Sequence, residues 1–586
     1  MLLKVNIDKD CSSYDDFTLF KTDIIEPFDL NNEPFLKNNL LPSKYKLFNQ
    51  DIFDYNTTNY NIKIYSSSTR ESQFLPGILK IDKTYGKFKN KLLYKCIPDD
   101  KRLPHFLIYY SIPPNFIKNK TSIYILFKFV QWNDEHPIGN VVQNLGPIDI
   151  LSNFYEYILY CKSLQISNSK FNKITNDTIK TKTHEQWIQQ ILKKNNNIID
   201  RTKGFFIFSI DGPNTTDYDD AISFQNNILS IYISNVAIWL DILNIWDAFS
   251  KRVSTIYLPN QKRNMLPNIL SDELCSLIKN KNKIALTMDI HLDIDNETNI
   301  INKISNIEFK NCLIKIKENF IYESENLLKN KHYNNIYNIV KQLNSNHLPI
   351  HSINGSNDII SYLMIFMNYK TSIILKQHES GIFRKLDQSY DNTLIDKDIN
   401  DKDKQFLTFY NSSCAQYCSF TDSHYSSFMY KNINQYTHIT SPIRRLVDLL
   451  NSIILQKNLN LWNFSDSNAI NFYDKWFNEL DYINLMMRSI RKVQNNCSIF
   501  NLLENNNNNN KNIYKGLCFD GFPRNNKMKM FNVYIKELNY VGKFCVSDET
   551  IEKYNIDNFN YYFFEIYLFM NEENMKKKIK LKLHIN

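Results

Sequence analysis

The stretch that decides the fold is IFSIDGPNTTDYDD, which runs from Ile207 to Asp220. Its first residues are the β-branched and aromatic types that favour a strand, and a Gly-Pro-Asn turn follows. Four carboxylates lie within its last ten residues: Asp211, Asp217, Asp219 and Asp220. Converging carboxylates repel one another unless a cation joins them, and oxygen ligands at this density suit Mg²⁺ or Mn²⁺. The stretch therefore predicts a divalent metal site.

A solvated acidic turn is the alternative interpretation of this stretch. Asp211, however, closes the apolar run from Phe205 to Ile210, which has the composition of a buried strand. A turn that meets only solvent does not need a carboxylate at the end of such a strand. The position of Asp211 therefore favours the metal site.

Length and composition describe a chain of several globular domains. The 586 residues exceed what one hydrophobic core serves, and 43% hydrophobic with 22% charged residues is ordinary for a globular protein. The net charge of +9 is compatible with a polyanionic partner, although this value alone is weak support for one.

The cysteines and apolar runs do not indicate a secreted or membrane protein. The ten cysteines include no CxxC pair, and the close pair Cys414 and Cys418 lacks a second pair of ligands, so we expect reduced, buried thiols. Charged residues interrupt the N-terminal segment Met1–Asp10, so it does not have the apolar core of a signal peptide. No apolar run approaches the ~18 residues that span a bilayer. We expect an intracellular, cytoplasmic location without membrane attachment.

Short apolar segments at close spacing predict a small antiparallel barrel that begins near Leu75. Aromatic and basic residues interleave there, a mixture that stacks bases and contacts phosphates, although an aromatic core is the alternative. These residues are Tyr85, Lys87, Lys89, Tyr94, Lys128 and Trp132. Similar segments after residue 512 predict a second barrel. Its tail from Lys576 carries five lysines in eleven residues, which form either a solvated face or a phosphate contact.

Other patterns place helices, a hairpin and a linker. Three- and four-residue spacing of apolar residues predicts helices over Ile359–Leu375 and Trp476–Val493. Asn226 and Asn227 predict the turn of a hairpin. Glu504 is followed by six asparagines, which have nothing to bury and indicate a linker or an exposed loop.

The sequence YTHITSPIRRLVDLLNSIIL, at 436–455, predicts an amphipathic helix. Ser441 suits the N-cap and Pro442 the first helical position, which places Arg444 and Arg445 in the first turn. Arginines there oppose the helix dipole unless an anion joins them, and free N–H groups beside arginines form a phosphate site. An ordinary helix with a surface arginine pair is the alternative. Together with the aspartates, the arginines predict metal-assisted phosphodiester cleavage.

These two segments and three others resemble the RNB catalytic domain of the RNase II family, which includes bacterial RNase II and RNase R and the eukaryotic exosome nuclease. The others are STIYLP (Ser254–Pro259), MLP (Met265–Pro267) and LSDELCSL (Leu270–Leu277), and all occur in the family's order. Upstream, KLLYKCIPDDKRLPHFLI and HPIGNVVQNLGP resemble the family's cold-shock-type OB domain. The last residues resemble its S1-type OB domain more loosely.

The resemblance implies a multidomain α+β protein with OB-type barrels around a mixed α/β catalytic domain. The expected domains are an unassigned N-terminal extension at 1–70, a cold-shock OB-like domain at 71–165, the RNB domain at 166–503, an asparagine-rich linker at 504–512 and an S1-like OB barrel at 513–586.

The resemblance also implies an activity, namely a hydrolytic, processive 3′-to-5′ exoribonuclease. Such an enzyme threads single-stranded RNA into a channel of the RNB domain and releases 5′-mononucleotides. We expect a monomeric catalytic unit that uses Mg²⁺, with Mn²⁺ as an alternative. Single-stranded RNA is the expected partner, and the sequence does not identify partner proteins in RNA decay.

Residue roles follow from the same resemblance. The metal ligands would be Asp211, Asp217, Asp219 and Asp220; Tyr257 would stack on or clamp the 3′-terminal nucleotide; and Arg444 would contact the scissile phosphate. Ser441 and Arg445, at the expected helix start, are predicted as further substrate contacts.

The chain departs from the family at five positions. Asn235 replaces an aspartate, Lys283 replaces an arginine, and Asn451 replaces a histidine. Ser361 and Tyr362 lie where the family usually has a glutamate. None of these changes removes a metal ligand. The absent glutamate affects how the terminal ribose is held, and so how RNA is distinguished from DNA through the 2′-OH.

Two other functions are compatible with the sequence. One is an RNA-binding clamp or regulator in which the RNB fold persists but catalysis is weak or lost. The other is a metal phosphodiesterase acting on DNA or small nucleotides. The intact aspartates and Arg444 favour the nuclease over the clamp, because a binder has no use for clustered carboxylates facing a polyanion. The two flanking barrels favour a long single strand as substrate.

Overall fold

A computed structural model describes most of the chain, in two compact units. The described residues are 2–8, 13–22, 36, 39–56, 58–59, 61–112, 121–295, 297–385, 399–400, 403–404, 406–407, 410, 415–421, 433–464, 468–506, 513–524, 527–571 and 575–584. One unit comprises Met1–Gln165 with Asn495–Asn586, and the other comprises Ile166–Gln494. No helix within the described ranges is long and apolar enough to cross a membrane.

An antiparallel sheet forms in the segment 1–70, where no sequence motif was recognised. Its four strands lie in the order β2-β1-β3-β4. They are β1 (Leu2–Ile7), β2 (Phe17–Lys21), β3 (Ile52–Asn56) and β4 (Asn61–Ser66), and helix α1 (Ser68–Glu71) follows. Alternate side chains such as Leu3, Val5 and Phe53 are fully buried on one face of the sheet, as the two-residue period of a strand requires.

The first predicted barrel is present and closed. Its strands lie in the order β5-β6-β7-β9-β8. They are β5 (Leu75–Phe88), β6 (Lys91–Pro98), β7 (Phe106–Tyr109), β8 (Ile123–Gln131) and β9 (Ile138–Pro147), and helix α2 (Leu151–Cys161) follows. The expectation of an antiparallel barrel is wrong for one pair, because β7 and β9 are parallel and this pairing closes the barrel. Two of the aromatic residues, Tyr94 and Trp132, are buried in the core, which confirms the alternative interpretation for them, whereas Tyr85 is exposed.

The second barrel-like domain resembles the first barrel in how its first strand is paired with other strands. Strand β20 lies between β21 and β23, as β5 lies between β6 and β8. Gly542 and Leu581 bring the two edge strands, β22 and β24, together, since a Cβ on Gly542 would come within 2.6 Å of Leu581. Its elements are β20 (Ile513–Arg524), β21 (Met528–Ile535), β22 (Tyr540–Ser547), a helix (Asp548–Tyr554), β23 (Tyr561–Asn571) and β24 (Lys576–Leu583).

The lysine-rich tail and the asparagine run differ in part from the expectations. The tail is strand β24, and Lys576 is 2.7 Å from the Asp99 carboxylate, so this lysine is ion-paired. The helix Leu480–Asn506 includes the start of the expected linker, while 507–512 lies outside the described residues. Among the described cysteines, all are free thiols, and Cys545 is exposed.

The second unit is built on a mixed sheet. The strand order is β10-β17-β11-β12-β13-β16, and β16 also pairs with β17, so the pairing returns on itself. The strands are β10 (Ile199–Arg201), β11 (Ile207–Asp211), β12 (Asp220–Gln225), β13 (Ile228–Ser234), β16 (Asn282–Ile294) and β17 (Ile301–Ile321). The predicted hairpin is confirmed: β12 and β13 are joined through Asn226 and Asn227, whose φ angles of 51° and 60° suit asparagine. Two small antiparallel sheets of two strands each add β14 (Ile256–Tyr257) with β15 (Lys262–Arg263) and β18 (Ile382–Lys385) with β19 (Gln416–Ser419).

Helices accompany this sheet. They are α3 (Ser169–Ile179), α4 (His184–Lys194), α5 (Val236–Leu243), α6 (Glu325–Leu328), α7 (Lys331–Asn346), α8 (Ser356–Gln377), α9 (Leu446–Asn458), α10 (Asn468–Phe477) and α11 (Leu480–Asn506). The helix expected over Ile359–Leu375 is confirmed as α8. The single helix expected over Trp476–Val493 is wrong, because the chain breaks between α10 and α11.

Candidate active site

Four aspartates of one short stretch line one cavity at an end of the mixed sheet. Strand β11 ends at Asp211 and β12 begins at Asp220, and the two strands are antiparallel neighbours. The end of one strand and the start of the next therefore lie at the same edge. The connecting loop carries Asp217 and Asp219, and all four side chains line the cavity.

The loop is held from behind by Ser276 and Leu277. The Ser276 hydroxyl accepts from the Tyr218 N–H at 3.0 Å and donates to the Thr216 carbonyl at 2.9 Å. The Leu277 N–H donates to the Tyr218 carbonyl at 3.0 Å. The backbone on both sides of Asp217 is thereby fixed, which defines where its carboxylate can lie.

Arg444 reaches the aspartates from a turn that precedes helix α9. The helix begins at Leu446, so the predicted placement of Ser441 as N-cap and of the arginines in the first helical turn is wrong. The reason is that Asp219 holds the turn in another conformation. Its Oδ1 accepts from the Ile443 N–H at 2.9 Å, and its Oδ2 accepts from Arg444 Nε at 3.2 Å.

A second buried carboxylate, that of Asp448, fixes the other end of the same turn. It accepts from the Ser441 N–H at 2.8 Å and from the Arg445 guanidinium at 2.9 Å. The N–H groups expected to bind phosphate are therefore occupied by protein carboxylates. Ser441 is buried, and its hydroxyl accepts from Arg444 at 3.2 Å, so it positions Arg444 and does not line the cavity. Arg445 lies outside this cavity as well.

A two-stranded hairpin, β14 with β15, forms another wall. The Tyr257 hydroxyl donates to Asp217 Oδ2 at 2.8 Å, and the residue is 39% exposed and lines the cavity. Lys262, its cross-strand partner, was not singled out in the sequence. Its ammonium lies 3.1 Å from Asp217 Oδ1 and 2.8 Å from Asp272 Oδ1. The signal that identifies Lys262 is its register opposite Tyr257 in a hairpin turned at Pro259.

The cavity has a volume of about 610 Å³ and a strongly charged wall. The charged residues that line it are Asp211, Asp217, Asp219, Asp220, Lys262 and Arg444. Four carboxylates thus face two cationic side chains, so the cavity wall carries a net negative charge when all of these groups are ionised.

Burial changes the proton affinities of three of these carboxylates. Burial raises the pKa of Asp219 to about 7 against the opposing effect of Arg444. Burial also raises the pKa of Asp211 to about 6, opposed by a hydrogen bond from Ser209 and by Arg444. Burial, with Asp211 and Asp219 nearby, raises the pKa of Asp220 well above its usual range. Charge repulsion and desolvation therefore favour a cation or a proton at this site.

Two carboxylate oxygens are available to a metal ion. Oδ2 of Asp211 and Oδ2 of Asp220 are buried and have no hydrogen-bond partner among the described residues. Asp217 and Asp219 are engaged by cationic side chains, and within the described ranges no three His, Cys, Asp or Glu side chains are placed to share one metal. Unpartnered buried carboxylate oxygens are what a divalent cation requires, so Asp211 and Asp220 fit the predicted ion.

Three residues that depart from the family pattern have structural roles. Asn235 is fully buried, and its Oδ1 accepts from the Ile238 N–H at 3.2 Å at the start of α5. Lys283 is buried and donates to the carbonyls of Glu273 and Leu274, and burial lowers its pKa to about 8. Asn451 joins Ile382 to the 436–440 segment, since its Nδ2 donates to the Ile382 and His438 carbonyls at 2.9 Å each.

The remaining departures, Ser361 and Tyr362, lie on helix α8. Tyr362 is fully buried, and its neighbour Ser361 is exposed. Neither lines the cavity of the aspartates.

Comparisons with known proteins identify two domains. The profile of the RNB domain matches residues 198–347, and that of the Dis3-like cold-shock domain 2 (CSD2) matches residues 93–162. The first match covers the aspartates, and the second covers most of the first barrel.

Several curated ribonucleases are similar over part of the chain. Ribonuclease R of Mycoplasmopsis pulmonis is 28% identical over 158 residues, which cover 24% of this chain and 22% of that protein. Ribonuclease R of Chlamydia trachomatis is 23% identical over 310 residues, covering 42% and 44% respectively. Exoribonuclease 2 of Psychromonas ingrahamii is 39% identical over 99 residues, covering 16% and 15%. The matched segments therefore span less than half of the length of these relatives.

Solved structures share the fold over much more of the chain. The apo form of Mycoplasma genitalium RNase R has a TM-score of 0.66 at 16% identity, covering 97% of this chain and 98% of that one. Yeast Ssd1, described as a pseudonuclease, has a TM-score of 0.57 at 15% identity, covering 82% and 66%. At these identities the likeness concerns the fold alone.

Proposed function

The chain is a divergent member of the RNase II and RNase R family, and from this premise we propose that it is a metal-dependent exoribonuclease that hydrolyses single-stranded RNA from the 3′ end to 5′-mononucleotides. One observation carries the proposal: the aspartates of the 211–220 stretch and Arg444, 224 residues beyond Asp220 in sequence, line the same cavity.

Arg444 is the group that contacts the scissile phosphate in this proposal. Its Nε is held by Asp219 and its Nη2 by Ser441, which leaves 45% of the side chain exposed. A guanidinium fixed at one edge presents its other N–H groups to a phosphate oxygen and stabilises the charge that develops there. Lys262 supplies a second positive charge to the same cavity.

Tyr257 is the group that positions the terminal nucleotide. Its hydroxyl is fixed by Asp217, so its half-exposed ring is held in one orientation at the cavity wall. A fixed aromatic ring stacks on a base of any identity, which suits an enzyme that removes every nucleotide in turn.

Asp211 and Asp220 are the groups that would hold Mg²⁺ or Mn²⁺, through their unpartnered Oδ2 atoms. A bound divalent ion lowers the pKa of a water molecule and offsets charge on the phosphate. The carboxylate of Asp219 positions Arg444, because its Oδ1 accepts from the Ile443 N–H and its Oδ2 accepts from Arg444 Nε.

The experiment follows the shortening of 5′-labelled single-stranded RNA by the wild-type chain in Mg²⁺, in EDTA, and by Asp219→Asn. We expect a ladder that shortens from the 3′ end in Mg²⁺ and no shortening in the other two. A 3′-labelled RNA distinguishes the direction, because its label is released at once as a mononucleotide. A wild-type chain that binds RNA but shortens it in neither Mg²⁺ nor Mn²⁺ contradicts the proposal.

An RNA-binding protein without catalysis is the second candidate function. The similarity to a protein described as a pseudonuclease favours it, and so do the engaged states of Asp217 and Asp219. Binding without shortening in the same experiment identifies this alternative. A matched DNA oligomer tests the phosphodiesterase alternative and shows whether the chain distinguishes RNA from DNA although Ser361 and Tyr362 replace the family's glutamate.

A further inference from the structure

A second, smaller cavity lies on the other side of the 441–445 turn in the same unit. Its volume is about 230 Å³, and Arg445 lines it, whereas the preceding residue Arg444 lines the cavity of the aspartates. The two arginines are adjacent in sequence, so this turn separates the two cavities.

Four guanidinium groups from three parts of the chain converge on the second cavity. Arg384 comes from strand β18, Arg445 from the turn before α9, and Arg488 with Arg491 from helix α11. The last two are three residues apart and therefore share a face of the helix. No carboxylate is among the described residues that line this cavity.

Only one of these arginines has an anionic partner in the described part of the chain. Asp448 contacts Arg445 at 2.9 Å from behind the cavity. No ion pair with a described residue is formed by the other three, Arg384, Arg488 and Arg491. Like charges brought together without counter-charges repel, and an anion that binds among them relieves this repulsion.

The wall between the arginines is rigid. Asn484 of α11 accepts from the Tyr417 N–H at 2.8 Å and donates to the Tyr417 carbonyl at 2.9 Å, which fastens strand β19 to the helix. The Tyr417 hydroxyl is 2.9 Å from His438 Nδ1. Burial, with Arg445 and Arg384 nearby, lowers the pKa of His438 well below its usual range, so the ring is neutral and adds no further charge.

We propose that this cavity is a binding site for a phosphate group, held by the guanidinium groups of Arg384, Arg488 and Arg491. Guanidinium is planar and presents paired donors, which match the oxygens of a phosphate, and fixed walls reduce the entropy lost on binding. The volume admits a phosphate with its sugar but not a folded polymer. The phosphate comes either from the backbone of an RNA strand or from a free mononucleotide. Neither source requires that the chain cleaves RNA.

The test compares Arg488→Gln/Arg491→Gln with the charge-matched control Lys475→Gln/Lys492→Gln in the full chain. All four positions are exposed on α10 or α11, and the control lysines do not line the cavity. The first measurement is the melting temperature in inorganic phosphate and in chloride at equal ionic strength. We expect phosphate to raise the melting temperature of wild type and control but not that of the arginine variant.

The second measurement identifies the source, in EDTA so that no cleavage occurs. If the source is RNA, the affinity for a labelled oligoadenylate falls about tenfold in the arginine variant relative to the control. The slope of log affinity against log salt then becomes shallower by about 0.7 for each phosphate that the variant no longer neutralises. If the source is a free nucleotide, calorimetry shows binding of 5′-AMP to the control and not to the arginine variant. The two variants then bind the labelled oligoadenylate with equal affinity.

An arginine variant that equals the control with inorganic phosphate, with oligoadenylate and with 5′-AMP overturns the proposal. Because every measurement reports binding, a failure here is distinct from a failure of the proposed nuclease activity. If the chain is a nuclease without a second phosphate site, it shortens RNA in Mg²⁺. The arginine variant and the control then bind phosphate, oligoadenylate and 5′-AMP equally.

Discussion

Arg444 and Arg445 are consecutive residues, yet they line cavities of opposite charge. The cavity of Arg444 places four carboxylates against two cations, whereas the cavity of Arg445 is lined by four guanidinium groups and by no described carboxylate. Asp219 holds one arginine and Asp448 the other. One turn therefore separates a cavity with an excess of carboxylates from a cavity with an excess of guanidinium groups, and the two arginines have different surroundings.

The largest effect is expected for Arg444→Gln. The side chain contacts one buried aspartate and faces the cavity, so its loss removes stabilisation of the reacting phosphate. We expect the rate of RNA shortening at saturating substrate to fall by about a hundredfold to a thousandfold. Lys251→Gln, an exposed charge change in the same unit, is the control. A variant that keeps the wild-type rate shows that Arg444 does not contact the scissile phosphate.

Arg445→Gln is expected to act on stability instead. Asp448 is fully buried, and loss of its partner leaves an uncompensated charge. We expect the free energy of unfolding in urea to fall by about 3 kcal/mol. The double variant Arg445→Gln/Asp448→Asn removes both charges and should recover much of this loss. Equal stability of the single variant and wild type would refute a structural role for the pair.

The acidic cavity predicts an unusual pH dependence for the metal-free protein. Burial raises the pKa of Asp211 to about 6 and that of Asp219 to about 7, both above their values in the unfolded chain. The folded state therefore binds protons more tightly, so this contribution is fully present below pH 4 and is lost as the pH rises to 7. We expect wild type in EDTA to lose about 2 kcal/mol over this range relative to Asp211→Asn.

Urea denaturation at a series of pH values measures this difference. Mg²⁺ should reduce it, because a bound cation stabilises the ionised carboxylates in place of the proton. Parallel curves for wild type and Asp211→Asn would show that Asp211 is not protonated in the folded, metal-free chain.

The smallest effect is expected for Tyr257→Phe. The substitution keeps the ring but removes the hydroxyl that donates to Asp217 at 2.8 Å, which frees the ring and the carboxylate. A hydrogen bond of this kind contributes about 1 kcal/mol, so we expect a several-fold fall in RNA affinity or rate. Tyr257→Ala removes the ring as well and should cost more. Equal losses in the two variants would mean that the hydroxyl, and not the stacking ring, is the important part.

Much of the cavity of the aspartates could be predicted from the sequence. Asp211, Asp217, Asp219, Asp220, Arg444 and Tyr257 are all identifiable there, and all line one cavity. A strand-loop-strand places its carboxylates at one sheet edge by local geometry alone. Ser441 and Arg445 were assigned to the same cavity because a helical first turn was expected, and they do not line it. Lys262 was missed because a lysine has no distinct pattern until its hairpin partner is known.

Elements whose causes are local follow from the amino-acid sequence without any knowledge of the fold. The apolar run before Asp211, the Asn226-Asn227 turn and the period of helix α8 depend on neighbouring residues, and the structure contains all three. The start of α9 depends instead on the folded chain, because Asp219 captures the Ile443 N–H from more than two hundred residues away. Folding also brings Arg384 to the same cavity as Arg491. Hydrogen bonds and charges between distant segments act only after folding, so no local pattern records them.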